Sequence, residues 1–184
     1  FVPMLEEKYP SVDFGLTGKS QEQNEYYVEM LVGFLAALFM IYGLLAVPLR
    51  SYLQPIVIMS VIPFGFIGAV IGHMVFDVTV NMLSVFGIVA LAGVVVNDSL
   101  ILVDFTNRGR NEGMDIDSAL VNAGKKRFRA ILLTTLTTFV GLLPIMFETS
   151  VQAQFVIPMA LSLSFGIVFA STITLILIPC LYSA

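Results

Sequence analysis

The sequence predicts an all-α polytopic membrane protein of about five transmembrane helices, preceded by a short remnant of an α+β extramembrane domain. Two observations predict it. The first is composition: the 184 residues are 58% hydrophobic and 12% charged, with a mean hydropathy of +0.94, whereas soluble domains run near half apolar and a quarter charged. The second is where the charges fall. Between Met30 and Asn107 the charged residues are Arg50, Asp77, Asp98 and Asp104, and from Ala130 onward there is Glu148 alone. A soluble helix of such length needs a charged outer face, and none is available.

Residues 1–25, FVPMLEEKYPSVDFGLTGKSQEQNE, differ from the rest. They are polar, carry Pro and Gly, and alternate briefly around VDFGLTG. They read as the end of a strand-containing domain, a turn and a polar entry to a helix, too short to fold alone. The abrupt start at Phe1 suggests a piece of a longer protein. Residues 26–184 are expected to form the transmembrane bundle. Its apolar runs span about 26–49, 53–76, 80–105, 127–147 and 153–182, and each supplies the roughly 20 residues that cross about 30 Å of hydrocarbon. Between the third and fourth runs lies a polar linker, residues 106–126. Its Met114, Ile116, Leu120 and Val121 stand near helical spacing, which predicts a short amphipathic helix on the membrane surface.

Lys and Arg give the bundle a direction. Arg50 lies between the first two runs, and Arg108, Arg110, Lys125, Lys126, Arg127 and Arg129 lie around the linker. The opposite loops, HMVFDVTVN and FETSVQAQ, carry neither residue type. The positive-inside rule places the basic loops in the cytoplasm, the N-terminal segment outside and the C-terminus in the cytoplasm. Small residues Gly65, Gly68 and Gly72 in the second run and Gly93 in the third are candidates for close helix packing. Pro63, Pro144, Pro158 and Pro179 are candidates for kinks or helix ends. Cys180, the one cysteine, reads as a small buried hydrophobe.

The third run holds the residue with the most chemical content, in GVVVNDSLILVDF. Counting from Val94 as helix centre, Asp98 lies roughly 6 Å from the midplane. A carboxylate at that depth costs at least about 2.5–3.5 kcal/mol unless it is paired, solvated or protonated. Those are the states a proton-coupled machine moves between, although an Asp that bonds a neighbouring helix as static glue is the plainer alternative. Asn97, Ile101 and Asp104 share a face, with Asp104 near the cytoplasmic surface, where a solvated boundary carboxylate is ordinary. In the fourth run, Thr134, Thr135, Thr137 and Thr138 form a hydroxyl cluster. Thr134, roughly 7.5 Å in from Arg129, matches Asp98 in depth. Arg127 and Arg129 can snorkel to phosphates, and Arg127 can gate proton access. His73 is expected to be an interfacial polar cap, and Asp77 and Glu148 solvated carboxylates at outer helix ends. With a single His and no Walker A loop, neither a metal site nor ATP chemistry is indicated. No basic stripe interleaved with aromatics points to nucleic acid.

The run GVVVNDSLILVDFTNRGRNEGMDIDSALVNAGKKRFRAILLTTLTTFVGLLPIMFE closely resembles the tenth and eleventh helices of drug-exporting resistance-nodulation-division (RND) efflux permeases. LVGFLAALFMIYGLLAVPLRSYLQPIVIMSVIPFGFIGA is similar to their helices eight and nine, FVIPMALSLSFGIVFASTITLILIPCLY to helix twelve, and residues 1–25 to the end of their periplasmic porter domain. The resemblance implies a trimeric, proton-driven inner-membrane pump of twelve helices that works with a periplasmic adaptor and an outer-membrane channel. It implies that the remainder of the permease is this segment's first partner, and that protons, with no cofactor, are the coupling ion. It puts Asn97, Thr134 and Arg127 at relay positions, which together with the buried Asp98 and with Asp104 on the Asn97 face give the candidate proton relay. Where the drug pumps place a Lys facing paired Asp residues of helix four, this sequence has Asn97 followed by Asp98. That departs from their Lys–Asp relay. An RND-related lipid exporter, a protein-export accessory subunit and a non-transporting membrane interaction module stand as alternatives.

Overall fold

The computed structural model describes residues 19–183 of the chain. The expected remnant of an α+β domain falls mainly on residues outside these. The described residues form six helices and no strand: α1 (Lys19–Leu49), α2 (Leu53–Met59), α3 (Ile62–Phe76), α4 (Met82–Asn111), α5 (Ile116–Met146) and α6 (Val151–Ser183). Five stretches of these are long and apolar enough to cross a membrane: Glu25–Leu49, Leu53–Phe76, Met82–Asn111, Ile116–Met146 and Val151–Ser183. The chain divides into two compact units, 1–37 and 38–184. In the first, residues 25–37 of α1 present exposed Tyr26, Tyr27, Leu31 and Leu35. The second unit holds the rest of the bundle and every residue discussed below.

Local chemistry sets the helix ends. Pro63, at the start of α3, brings no N–H to that first turn and has the φ the turn needs. This breaks the second apolar run into α2 and α3 at Ser60–Val61, where the Ser60 hydroxyl donates to Val57 O at 2.6 Å. Asp77 closes α3 in the left-handed region (φ 53°), and the Val78 N–H returns to His73 O at 3.0 Å. Asn81 opens α4 with a capping box: its Oδ1 accepts from the Leu83 and Ser84 N–H groups at 3.0 and 3.1 Å, and Ser84 Oγ accepts from the Asn81 N–H at 3.0 Å. Glu148, exposed in the α5–α6 turn, accepts from the Thr149 and Ser150 N–H groups at 3.1 Å each. Pro144, Pro158 and Pro179 lie inside α5 and α6.

The linker corrects a sequence expectation. Residues 106–126 do not form a separate surface helix. The third span continues to Asn111, the fourth begins at Ile116, and only residues 112–115 turn between them. Gly113 supplies the turn with φ 89°, a conformation that suits glycine. Gly109 then lets the two helices close, since a Cβ there would lie 3.2 Å from Ala119 Cβ. Of the apolar stripe read from the sequence, Leu120 is buried, beside Ala119 and Ala123, while Met114 and Val121 are exposed. Ala119, which faces Gly109, and Ala123 are too small to have marked that side by hydropathy.

Helix α6 is the centre of the bundle and packs against α2, α3, α4 and α5. Its approach to α3 is backbone-close. A Cβ on Gly68 would fall 2.5 Å from Phe169 Cβ and 2.7 Å from Phe165 O, and one on Gly72 would meet the Phe165 ring at 2.6 Å. Gly65 faces Leu91 of α4 at 2.8 Å, and Gly87 of α4 faces Met159 O of α6 at 2.5 Å. In lipid, where apolar burial gives no drive, such close approach is how helices gain dispersion energy. Gly93 is the exception among the expected packing glycines: nothing lies within 4 Å of its Cβ position. It is on the face of α4 opposite the buried Leu91, Ala92, Val95 and Val96. Cys180 is likewise exposed rather than buried, because Ile178 takes the inward position of that last turn.

Candidate proton-relay site

Asp98 sits inside α4, between the buried residues Val96 and Ser99. Its Oδ2 is buried and meets no hydrogen-bond partner in the protein. A buried, unpartnered carboxylate oxygen is uncommon enough to require an explanation. About two turns further along α4, Arg127 of α5 lies against that helix. That guanidinium stacks over the Phe105 ring of α4 at 5.0 Å from its centroid, a cation–π contact that holds it against the neighbouring helix.

The Phe105–Arg127 contact fixes the register of the antiparallel α4–α5 pair. Seven residues back along α4 is Asp98, and seven forward along α5 is Thr134, each roughly 10 Å from that contact. Thr134 therefore stands at the level of Asp98. Its side chain, however, is exposed, and its hydroxyl donates to Ala130 O at 3.0 Å. The inward hydroxyl at this level is Thr135, 7% exposed, whose Oγ1 has no partner. Asn97 is exposed on α4. Asp104, on the same face, pairs with Arg108 one turn away at 2.9 Å, with both side chains largely exposed. Asp98 and the buried Thr135 thus stand at one level of α4 and α5, with Arg127 about two turns away against Phe105, while Asn97, Thr134 and the Asp104 side chain are exposed on the bundle formed by this chain.

A second set of groups was not singled out from the sequence. Ser99 (0% exposed), Ser162 (0%) and Ser171 (5%) each bury a hydroxyl oxygen without a partner. Helices α4 and α6 run parallel, with Leu91 beside Gly166. Eight residues further on, Ser99 stands level with Thr174 and within a turn of Ser171. Thr174 is buried and donates to Ala170 O at 2.8 Å. A hydroxyl layer therefore crosses the core beside Asp98. The sequence signal was the Ser directly after Asp98, but pairing it with α6 required the register.

His73 is not an interfacial cap. It is 3% exposed, on the same buried face of α3 as Gly65, Ala69 and Gly72. One ring nitrogen bonds Ala69 O at 2.9 Å and the other Ser84 Oγ at 2.8 Å. Since a carbonyl only accepts, Nδ1 carries the proton, and in the neutral ring Nε2 accepts from Ser84. The residue ties α3 to the start of α4. No group of His, Cys, Asp and Glu that could hold a metal ion occurs among the described residues.

The AcrB/AcrD/AcrF family matches residues 5–184. The chain is 31% identical over 166 residues to the multidrug resistance protein MdtC of Proteus mirabilis, covering 90% of this chain but only 16% of that relative's length. Two crystal forms of a heavy metal efflux pump are similar in structure, both at 25% identity. Form I gives a TM-score of 0.78 over 98% of this chain and 18% of that one. Form II gives 0.81 over 99% and 19%. With five membrane-length helices in the order and packing described, the chain belongs to the AcrB/AcrD/AcrF family and is a membrane portion of an RND efflux permease.

Proposed function

We propose that this chain is the C-terminal membrane part of a proton-motive-force-driven RND permease that exchanges protons for drugs or other amphiphiles. The observation that carries the reading is Asp98: a carboxylate inside an apolar helix, with a buried, unpartnered oxygen level with other buried hydroxyls that have no partner. An ionisable group inside a membrane helix is costly to keep, and it marks a functional path by default. Asn97 cannot supply the positive charge that the drug pumps' Lys supplies. In this chain Arg127 takes that part. When Asp98 is charged, Arg127 and water held by Thr135 and Ser99 offset it. When a proton arrives, the neutral carboxyl donates to one of those oxygens. Each change of charge between α4 and α5 biases how the two helices pack against the rest of the permease, and that bias is what drives export.

The same reading places the chain in the bacterial inner membrane, with the basic α1–α2 and α4–α5 turns cytoplasmic and the N-terminal segment periplasmic. Its partners are the other membrane helices of the permease, two further copies in a homotrimer, a periplasmic adaptor and an outer-membrane channel. Protons are the coupling ion, and no cofactor takes part. The test is Asp98→Asn in the complete permease, assayed for substrate export from energised cells, with membrane abundance measured alongside. Export is abolished at unchanged abundance. Wild-type export by that variant sinks the relay.

A further inference from the structure

A cavity of about 520 Å³ opens at the end of the bundle that carries the α1–α2 and α4–α5 turns. Arg50, Arg108 and Arg110 line it, against one carboxylate, Asp104. We propose that this cavity binds the phosphate of an anionic phospholipid, with the acyl chains lying along the exposed apolar side of α1 and the α1–α2 turn.

Three observations carry the proposal. The first is a pre-formed polar floor. Gln54 Nε2 donates to the Tyr182 hydroxyl at 2.6 Å, Asn107 Nδ2 donates to Gln54 Oε1 at 3.0 Å, and the Tyr182 hydroxyl donates to Asn107 Oδ1. This closed ring joins α2, α4 and α6, so the floor is rigid before a ligand arrives. The second is the state of the cations. Asp104 engages only Nη2 of Arg108, and among the described residues Arg50 and Arg110 have no carboxylate partner. Arg50 also holds a left-handed backbone (φ 49°), where a residue without a side chain would sit free of strain. Strain of that kind collects at binding sites, where the side chain has a task. Guanidinium groups converging on one space match a phosphate with paired N–H donors.

The third observation separates a lipid from free phosphate. Leu44, Val47, Tyr52 and Leu53 beside the cavity are 70–79% exposed. Apolar side chains at a membrane-facing helix end, bordering a basic mouth at headgroup level, fit an acyl chain and its phosphate together. Basic pockets between helix ends are where acidic headgroups settle. The proposal does not depend on Asp98 or on proton coupling.

The experiment uses the purified complete permease in detergent and measures the anisotropy of fluorescent phosphatidylglycerol. Unlabelled phosphatidylcholine and inorganic phosphate serve as competitors. Wild type binds phosphatidylglycerol, and neither competitor displaces it at equal concentration. The double variant Arg50→Gln, Arg110→Gln loses about tenfold to thirtyfold in affinity, the effect of two guanidinium contacts near the membrane surface. Asp104→Asn, which removes the competing carboxylate, tightens binding, and it decides the matter if the double variant fails to fold. Equal displacement by phosphatidylcholine, unchanged affinity in a folded double variant, or no tightening in Asp104→Asn overturns the proposal. Displacement by inorganic phosphate alone overturns the lipid and leaves a phosphate site.

Discussion

Replacing Gly68 by alanine tests the packing at the centre of the bundle. The added Cβ falls 2.5 Å from Phe169 Cβ and 2.7 Å from the backbone oxygen of Phe165, while carbon pairs rest at about 3.5–4.0 Å. One of the two contacts is backbone, so no rotamer change relieves it, and α3 and α6 must separate by about 1 Å. A gap of that size forfeits roughly a quarter to a half of the dispersion along the contact, and overpacking of this kind costs about 1–3 kcal/mol. Alanine returns up to about 1 kcal/mol through its better helix propensity. With the full offset the net is a loss of about 0–2 kcal/mol, against a gain of up to about 1 kcal/mol where the added methyl meets nothing. Gly93→Ala and Gly141→Ala are the controls, since nothing lies within 4 Å of either Cβ position, and both leave stability unchanged or slightly raised. Denaturation of the micelle-bound chain by sodium dodecyl sulfate, followed by circular dichroism, gives the midpoints. A Gly68→Ala midpoint equal to or above those of the controls refutes the close α3–α6 approach.

Two further predictions concern the core and the topology. Thr135→Val, Ser99→Ala and Ser171→Ala should each slow proton-driven export several-fold while thermal stability holds or rises, because each removes a buried hydroxyl that has no protein partner. In the same assay Thr134→Ala loses less than Asp98→Asn. A drop in stability with unchanged export marks these hydroxyls as structural instead. A reporter fused after Ala184 is active only in the cytoplasm, and one placed in the α5–α6 turn beside Glu148 is active only outside. The reverse pattern inverts the proposed orientation.

What the sequence made legible follows from the membrane as solvent. A lipid-spanning helix must be apolar for most of its length, so the five spans stood out as runs, and Asp98 stood out as the charge inside one of them. Which side of each helix faces inward was far less legible. A soluble helix marks its inner face with apolar residues, but here every face is apolar and the periodic signal vanishes. Thr134, Thr135, Thr137 and Thr138 spread over about 160° of the α5 circumference, and only its burial in the bundle shows that Thr135 is the inward one. Gly93 was grouped with Gly65, Gly68 and Gly72 for the same reason, since glycine spacing carries no direction. His73, polar and near a helix end, suggested an interface until the capping box at Asn81 brought Ser84 against it. The linker misled because a turn of four residues, made possible by Gly113, joined two long helices where the polar composition suggested a surface segment.

The central claim is that Asp98 gains and loses a proton as the permease turns over. Infrared difference spectra of the complete permease, taken between resting and substrate-saturated states in a bilayer, read that directly through the carbonyl stretch of a protonated carboxyl. The account predicts a band that changes amplitude on substrate addition, shifts on exchange into heavy water and is missing in Asp98→Asn. The same band persisting in Asp98→Asn, or no carboxyl band in the wild type, contradicts it.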